Sequence, residues 1–136
     1  MRIMAVDYGD TRTGVAVSDV TGAIVGETWV ITEKSQRKVA EAVSAEAEKR
    51  GAARIVIGLP KNMNGTLGPR AEKSQVFAEL VKQLCGCDVI LWDERMTTVS
   101  AQRILSDVGK FGKKRKNTID AVAASLILEG YLGSLK

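Results

Sequence analysis

Arg2-Ile3-Met4-Ala5-Val6-Asp7-Tyr8-Gly9-Asp10-Thr11-Arg12-Thr13-Gly14-Val15-Ala16-Val17-Ser18 is unbroken apolar from Ile3 to Val6, stops at an acid and a glycine, and resumes as a partly alternating apolar run. Residues 2–8 read as a strand, 9–12 as a tight turn and 13–18 as a second strand. The continuously apolar stretch Ile3-Met4-Ala5-Val6 reads as strand buried on both faces, so Asp7 is the first position after it able to carry a charge. Thr21-Gly22 makes another turn, and 24–31 a third strand. Three strands joined by such short turns are largely antiparallel.

Beyond residue 33 the period changes. Val39, Ala40, Val43 and Ala47 recur at helical spacing within 34–50, and Gly51 fits a helix stop. A strand follows at 54–59, then a loop at 60–68. A helix runs from Pro69, which suits a first helical turn, to about Leu84. Val89-Ile90-Leu91-Trp92 is a fifth strand, with helices expected at 98–105 and 118–132 and a loop between them at 109–117. The order βββαβαβαα predicts an α/β fold: a five-stranded mixed β-sheet, three antiparallel strands and then βα units, flanked by α-helices. No repeat, linker or low-complexity tract divides the chain, so residues 1–136 are expected to form one domain. A domain of this size buries about two-thirds of its unfolded surface.

Composition narrows the chemistry. The chain is 45% hydrophobic and 26% charged, ordinary for a globular protein. No apolar run approaches the roughly 20 residues of a membrane span, and no basic-then-apolar leader precedes the first strand; a cytoplasmic protein with no membrane partner is expected. Histidine is absent, which excludes Ser-His-Asp and Cys-His catalysis and His-ligated metals. A general base must then be a carboxylate, Lys, Tyr or a metal-bound water. Cys85 and Cys87 are too close for an ordinary structural disulfide, and read as reduced thiols. The net charge of +4 favours polyanions only in a general way.

Four segments carry candidate chemistry. Asp7 closes the first strand; Asp10, inside the turn, is better explained as turn chemistry. Asp93-Glu94 closes the fifth strand, and strand alternation aims only one of the two at any common site, the other being free to cap a helix or pair with Arg95. Asp120 heads the apolar stretch Ala121 to Leu128. Ligand sites in open α/β sheets lie outside the carboxyl ends of the strands. Carboxylates gathered there repel unless a cation intervenes, and hard divalent ions take oxygen ligands, often carboxylates plus substrate phosphate. The loop 60–68 runs into a helix N-terminus between Lys61 and Arg70, an arrangement suited to an anion. Lys110, Lys113, Lys114, Arg115 and Lys116 concentrate positive charge just before Asp120. With Arg12 and Arg95, these basic residues are candidate nucleic-acid contacts.

In combination the segments resemble the YqgF family of RNase H-like proteins, described as Holliday-junction resolvases and as candidate nucleases for the 5′ end of pre-16S ribosomal RNA. The resemblance rests on Asp7-Tyr8-Gly9 with Arg12, Gly14 and Ser18-Asp19; on Gly58-Leu59-Pro60 with Gly65; on Asp93-Glu94-Arg95 with Thr98; and on Asp120-Ala121 with Ala123-Ala124 and Leu128, from Met1 to about Leu132. It implies an RNase H-like fold and a Mg²⁺- or Mn²⁺-dependent nuclease with Asp7, Glu94 and Asp120 as catalytic, metal-binding acids and Asp93 as the reserve ligand. In the two-metal scheme Asp7 would bridge ions about 3.5–4 Å apart, with Glu94 and Asp120 completing separate shells. RNase H-like nucleases often add a fourth acid near the last; here Asn117 stands one helical turn before Asp120. The expected substrate is structured RNA, with branched DNA the alternative, and the expected state a monomer or weak homodimer. The rivals are an actin-like ATPase or kinase, for which the chain lacks a second lobe to close over a nucleotide, and a ribosome-assembly factor that binds nucleic acid without cutting it.

Overall fold

A computed structural model describes residues 1–96 and 113–135. The elements are β1 (Arg2–Asp7), β2 (Arg12–Ser18), β3 (Val25–Thr32), α1 (Gln36–Arg50), β4 (Ala52–Leu59), α2 (Pro69–Leu84), β5 (Asp88–Asp93), a 3₁₀ turn (Glu94–Met96) and α3 (Lys113–Ser134). The strands form one sheet in the order β3-β2-β1-β4-β5. The β1–β2 and β2–β3 pairs are antiparallel, whereas β1–β4 and β4–β5 are parallel. The expected mixed five-stranded sheet is therefore present, with β1 at its centre.

Strand alternation sorts the core into two layers. Met4, Val6, Val15, Ile55 and Ile57 face α1 and α2, where Val39, Val43, Phe77 and Val81 close over them. Ile3, Ala5, Ala16 and Val56 face α3, packing on Ala124, Ile127, Leu128 and Tyr131. The helical positions legible in the sequence of α1, Val39, Ala40, Val43 and Ala47, are all buried. Ser35 caps that helix by accepting from the Lys38 N–H at 3.3 Å. Gly51 ends it in the left-handed conformation, φ 68°, donating to the Ala47 and Glu48 carbonyls. The Tyr8 ring stacks on Phe77 at 4.3 Å between centroids, fixing the chain just past Asp7 against α2.

The last helix differs from expectation. The sequence predicts a loop at 109–117 and a helix from 118, whereas the segment is helical from Lys113. Lys113, Lys114, Arg115 and Lys116 thus stand in the first turns of α3, and Asp120 lies about two turns inside the helix rather than at its head. Clustered charge suits a solvated loop, but Lys and Arg are also good helix formers, and the apolar face that follows extends the helix back through them. The helix expected at 98–105, and Lys110, lie outside the described residues.

Candidate active site

The site is built on one row of residues across the sheet. Gly14 of β2 pairs with Asp7 of β1, and Gly58 of β4 follows directly on the Val6–Ile57 pair and stands beside Trp92 of β5. By alternation all of them face α3, as Ala5, Ala16, Val56 and Ile90 do one step below. Asp7 therefore has a glycine on either side, on the face where α3 packs.

Those glycines make room for the other two acids. A Cβ on Gly14 would lie 1.9 Å from the backbone carbonyl oxygen of Asp120, so only glycine lets α3 come this close to β2. A Cβ on Gly58 would lie 3.1 Å from Oε1 of Glu94 and 2.6 Å from Cδ1 of Ile127. Four strands and one helix thus converge: β1 supplies Asp7, the 3₁₀ turn that follows β5 supplies Glu94, α3 supplies Asp120, and β2 and β4 supply the space. Glycine inside a strand commonly marks a close backbone approach. That signal is present in the sequence at Gly14 and Gly58, although the candidate acids alone do not point to either as a site residue.

Charge on the three acids follows from this crowding. Asp7 keeps little surface open to solvent, and its carboxyl is pushed up to about 7, first by burial and then by Glu94, with Asp120 adding to the effect and Arg70 opposing it. Glu94 is raised by burial, with Arg70 opposing and Asp93 contributing. Asp120 is raised by burial, against the pull of Arg12 and Arg70. Among the described residues Arg70, in the first turn of α2, is the one cation that acts on all three acids. Its side chain is exposed, free to meet a ligand at that helix end.

Asp93 and Glu94 diverge as alternation requires. Asp93 is held by Arg95, which donates from Nη2 at 2.7 Å and from its backbone N–H at 2.9 Å, and this pairing lowers the Asp93 pKa. Arg95 also donates to the Met63 carbonyl at 3.3 Å, tying the end of β5 to the loop after β4. Asp93, the reserve ligand, and Arg95, a candidate nucleic-acid contact, are thus engaged with each other, while Glu94 faces the Gly58 opening. Arg12 contacts an acid as well: its Nε lies 3.1 Å from Oδ2 of Asp120. Lys61, beside the end of β4, acts electrostatically on Asp93. Lys73, which no sequence pattern singles out, pairs with Asp10 at 3.1 Å and lines a cleft of about 160 Å³ with Tyr8, Gly9 and Arg70.

Among the described residues no three acidic or cysteine side chains stand close enough to ligate one ion as they are placed. Asp120 is engaged by Arg12. The donor chemistry nevertheless fits a hard divalent cation: carboxylates only, one of them pushed towards its protonated form first by burial and then by its acidic neighbours.

Comparison with known proteins agrees with this architecture. The family model described as "RuvX: Holliday junction resolvase" matches residues 1–134. A Halothermothrix orenii protein named "Putative pre-16S rRNA nuclease" is 46% identical over 132 residues, covering 97% of this chain and 94% of its own. Among solved structures, the fold is shared with T. thermophilus RuvC in complex with Holliday junction substrate, with a TM-score of 0.60, 16% identity, and 98% of this chain and 96% of that chain covered. It is shared also with the Fowlpox virus resolvase bound to Holliday junction DNA, with a TM-score of 0.62, 12% identity and 99% of both chains covered. On the full-length family match and the 46% identity, this chain belongs to the RuvX family of Holliday junction resolvases, hydrolases acting on nucleic acid through an RNase H-like fold.

Proposed function

We propose that the protein hydrolyses phosphodiester bonds in structured RNA at a divalent-cation site formed by Asp7, Glu94 and Asp120, and that it processes the 5′ end of pre-16S ribosomal RNA. The observation that carries this reading is Asp7: a carboxyl at the end of a central buried strand, flanked by glycines and pushed up to about 7 by burial and by two further acids. A side chain so placed destabilises the protein when charged, and a bound cation relieves that cost. The name carried by the 46%-identical relative supports the choice of substrate. Family membership over residues 1–134 favours a nuclease over the kinase-like reading.

Each residue has a role in such a site. Asp7 and Glu94, adjoining across the Gly58 opening, would hold Mg²⁺ or Mn²⁺, and Asp120 would join them on leaving Arg12. The bound metal would lower the pKa of the attacking water and stabilise the leaving oxygen. Arg12, once released, is free to take a phosphate oxygen, so that ligand and substrate binding are linked through one side chain. Arg70, at the start of α2, would hold the backbone of the strand being cut, where the helix dipole adds to its charge. Lys113, Lys114, Arg115 and Lys116 would hold phosphates further along the substrate and supply affinity without reading bases. The protein would act in the cytoplasm, as a monomer or weak homodimer and as a single nuclease domain.

A second reading, cleavage of four-way DNA junctions, is favoured by the family description. Both are tested by one assay: cleavage of a pre-16S 5′ fragment and of a four-way junction, each with Mg²⁺, Mn²⁺ or chelator, for the wild type and Asp7→Asn. We expect metal-dependent cutting of the RNA that Asp7→Asn abolishes. Junction cutting with the RNA left intact would reverse the substrate choice, and no cutting of either would favour a factor that only binds.

A further inference from the structure

At the other end of the sheet Cys85-Gly86-Cys87 joins the last turn of α2 to the start of β5. The backbone is fixed on both sides: the Cys85 N–H donates to the Val81 carbonyl at 2.9 Å, and Asp88 enters the sheet paired with Arg54. Between these anchors the two Sγ atoms lie 3.1 Å apart. About 1 Å of approach separates that contact from a disulfide bond. A side-chain position on Gly86 would meet nothing within 4 Å, so the link between the cysteines has space to adjust. Neither thiol is fully buried. Both open into a cleft of about 620 Å³ lined also by Ser44, Ala47, Glu48 and Leu84. The strand β5 puts about 20 Å between this cleft and Glu94. The chain has no other cysteine.

We propose that Cys85 and Cys87 form a redox-active dithiol that exchanges with low-molecular-weight disulfides, closing to an intramolecular disulfide and reopening in excess thiol. The reaction balances without a further oxidant. One thiolate of the pair attacks one sulfur of the small disulfide and expels a small thiolate, leaving a mixed disulfide on that cysteine. The other thiol then loses its proton to solvent, attacks the Sγ of the first and expels the second small thiolate. Two protein thiols and one small disulfide become one protein disulfide and two small thiols. The 3.1 Å between the Sγ atoms places the second thiol beside the sulfur it must attack. A ring spanning a single intervening residue is strained, and strained, exposed disulfides are the labile ones, so the pair works as a reversible couple and not as a structural staple.

The test equilibrates the full-length wild type, Cys85→Ser and Cys87→Ser in buffers of reduced and oxidised glutathione, quenches with an alkylating reagent and measures intact mass. The wild type is expected to lose two hydrogens and refuse the label as the buffer becomes oxidising, and to recover both thiols on return to excess reduced glutathione. Cys87→Ser and Cys85→Ser, each lacking the second thiol, should stop at the mixed disulfide on the remaining cysteine. The proposal is overturned if the wild type stays fully labelled at the most oxidising ratio, or ends as a persistent glutathione adduct or a disulfide-linked pair of chains.

Discussion

Asp7 is the residue whose environment and role are most tightly joined. Its folded pKa is raised from 3.8 to about 7, so the folded state holds the proton more firmly than the unfolded state. The associated stability is complete below about pH 4, declines as pH rises and is gone above about pH 7. Without divalent ions, Asp7→Asn should therefore be more stable than the wild type by about 2–4 kcal/mol at pH 8 and no more stable at pH 4, a contrast that thermal melts at the two pH values measure. Protons and cations compete for the same carboxylate, so wild-type affinity for Mn²⁺ should rise by up to about tenfold per pH unit towards pH 7 and then level. Gly14 makes the second case at this scale. A methyl group there meets the Asp120 carbonyl at 1.9 Å and can be accommodated only if α3 moves. Gly14→Ala should cost about 1–3 kcal/mol in denaturant melts and most of the cleavage rate. Gly86→Ala, with open space around it, should change neither.

Among the elements, α3 carries the run of basic residues and is also the hardest to delimit from sequence. Its first turn contains no acid and begins Lys113-Lys114-Arg115-Lys116, the wrong sign for the positive end of a helix dipole. Replacing these residues with Ala should leave the melting temperature unchanged or higher. It should also weaken RNA binding and flatten the dependence of log affinity on log salt by about 0.7 for each phosphate no longer neutralised; an unchanged slope would show that the helix start holds no phosphates. The elements differ in how far sequence exposes them. β1 and β4 are buried apolar runs, and β5 is a half-buried apolar run at the sheet edge; each is ended by an acid or a loop and is legible directly. The start of α3 is not, because a run of lysines is compatible with loop and helix alike, and the apolar face that selects helix begins only at Ala121. The Arg12–Asp120 pair spans 108 residues, a contact that no local pattern encodes. Alternation limits Asp93 and Glu94 to one acid facing the site, but the Arg95 pairing that identifies it depends on the turn after β5.

For the whole molecule the substrates divide by symmetry. Symmetric cutting of a four-way junction needs two active sites related by a two-fold axis, whereas trimming one RNA end needs one. The apolar face of α3, where Ala124, Ile127, Leu128 and Leu132 are buried, is already packed against its own sheet, which leaves that face no part in pairing two chains. Light scattering across concentrations should give the mass of one chain, with or without a junction; a stable two-fold dimer that nicks junctions symmetrically would move the assignment to DNA. The central claim, that acids from β1, the end of β5 and α3 act as one cation site, is tested most directly by calorimetric titration of Mn²⁺ into the wild type, Asp7→Asn and Asp120→Asn at neutral pH. Binding should fall at least tenfold in Asp7→Asn and measurably in Asp120→Asn while both variants remain folded. Undiminished binding in both would contradict it.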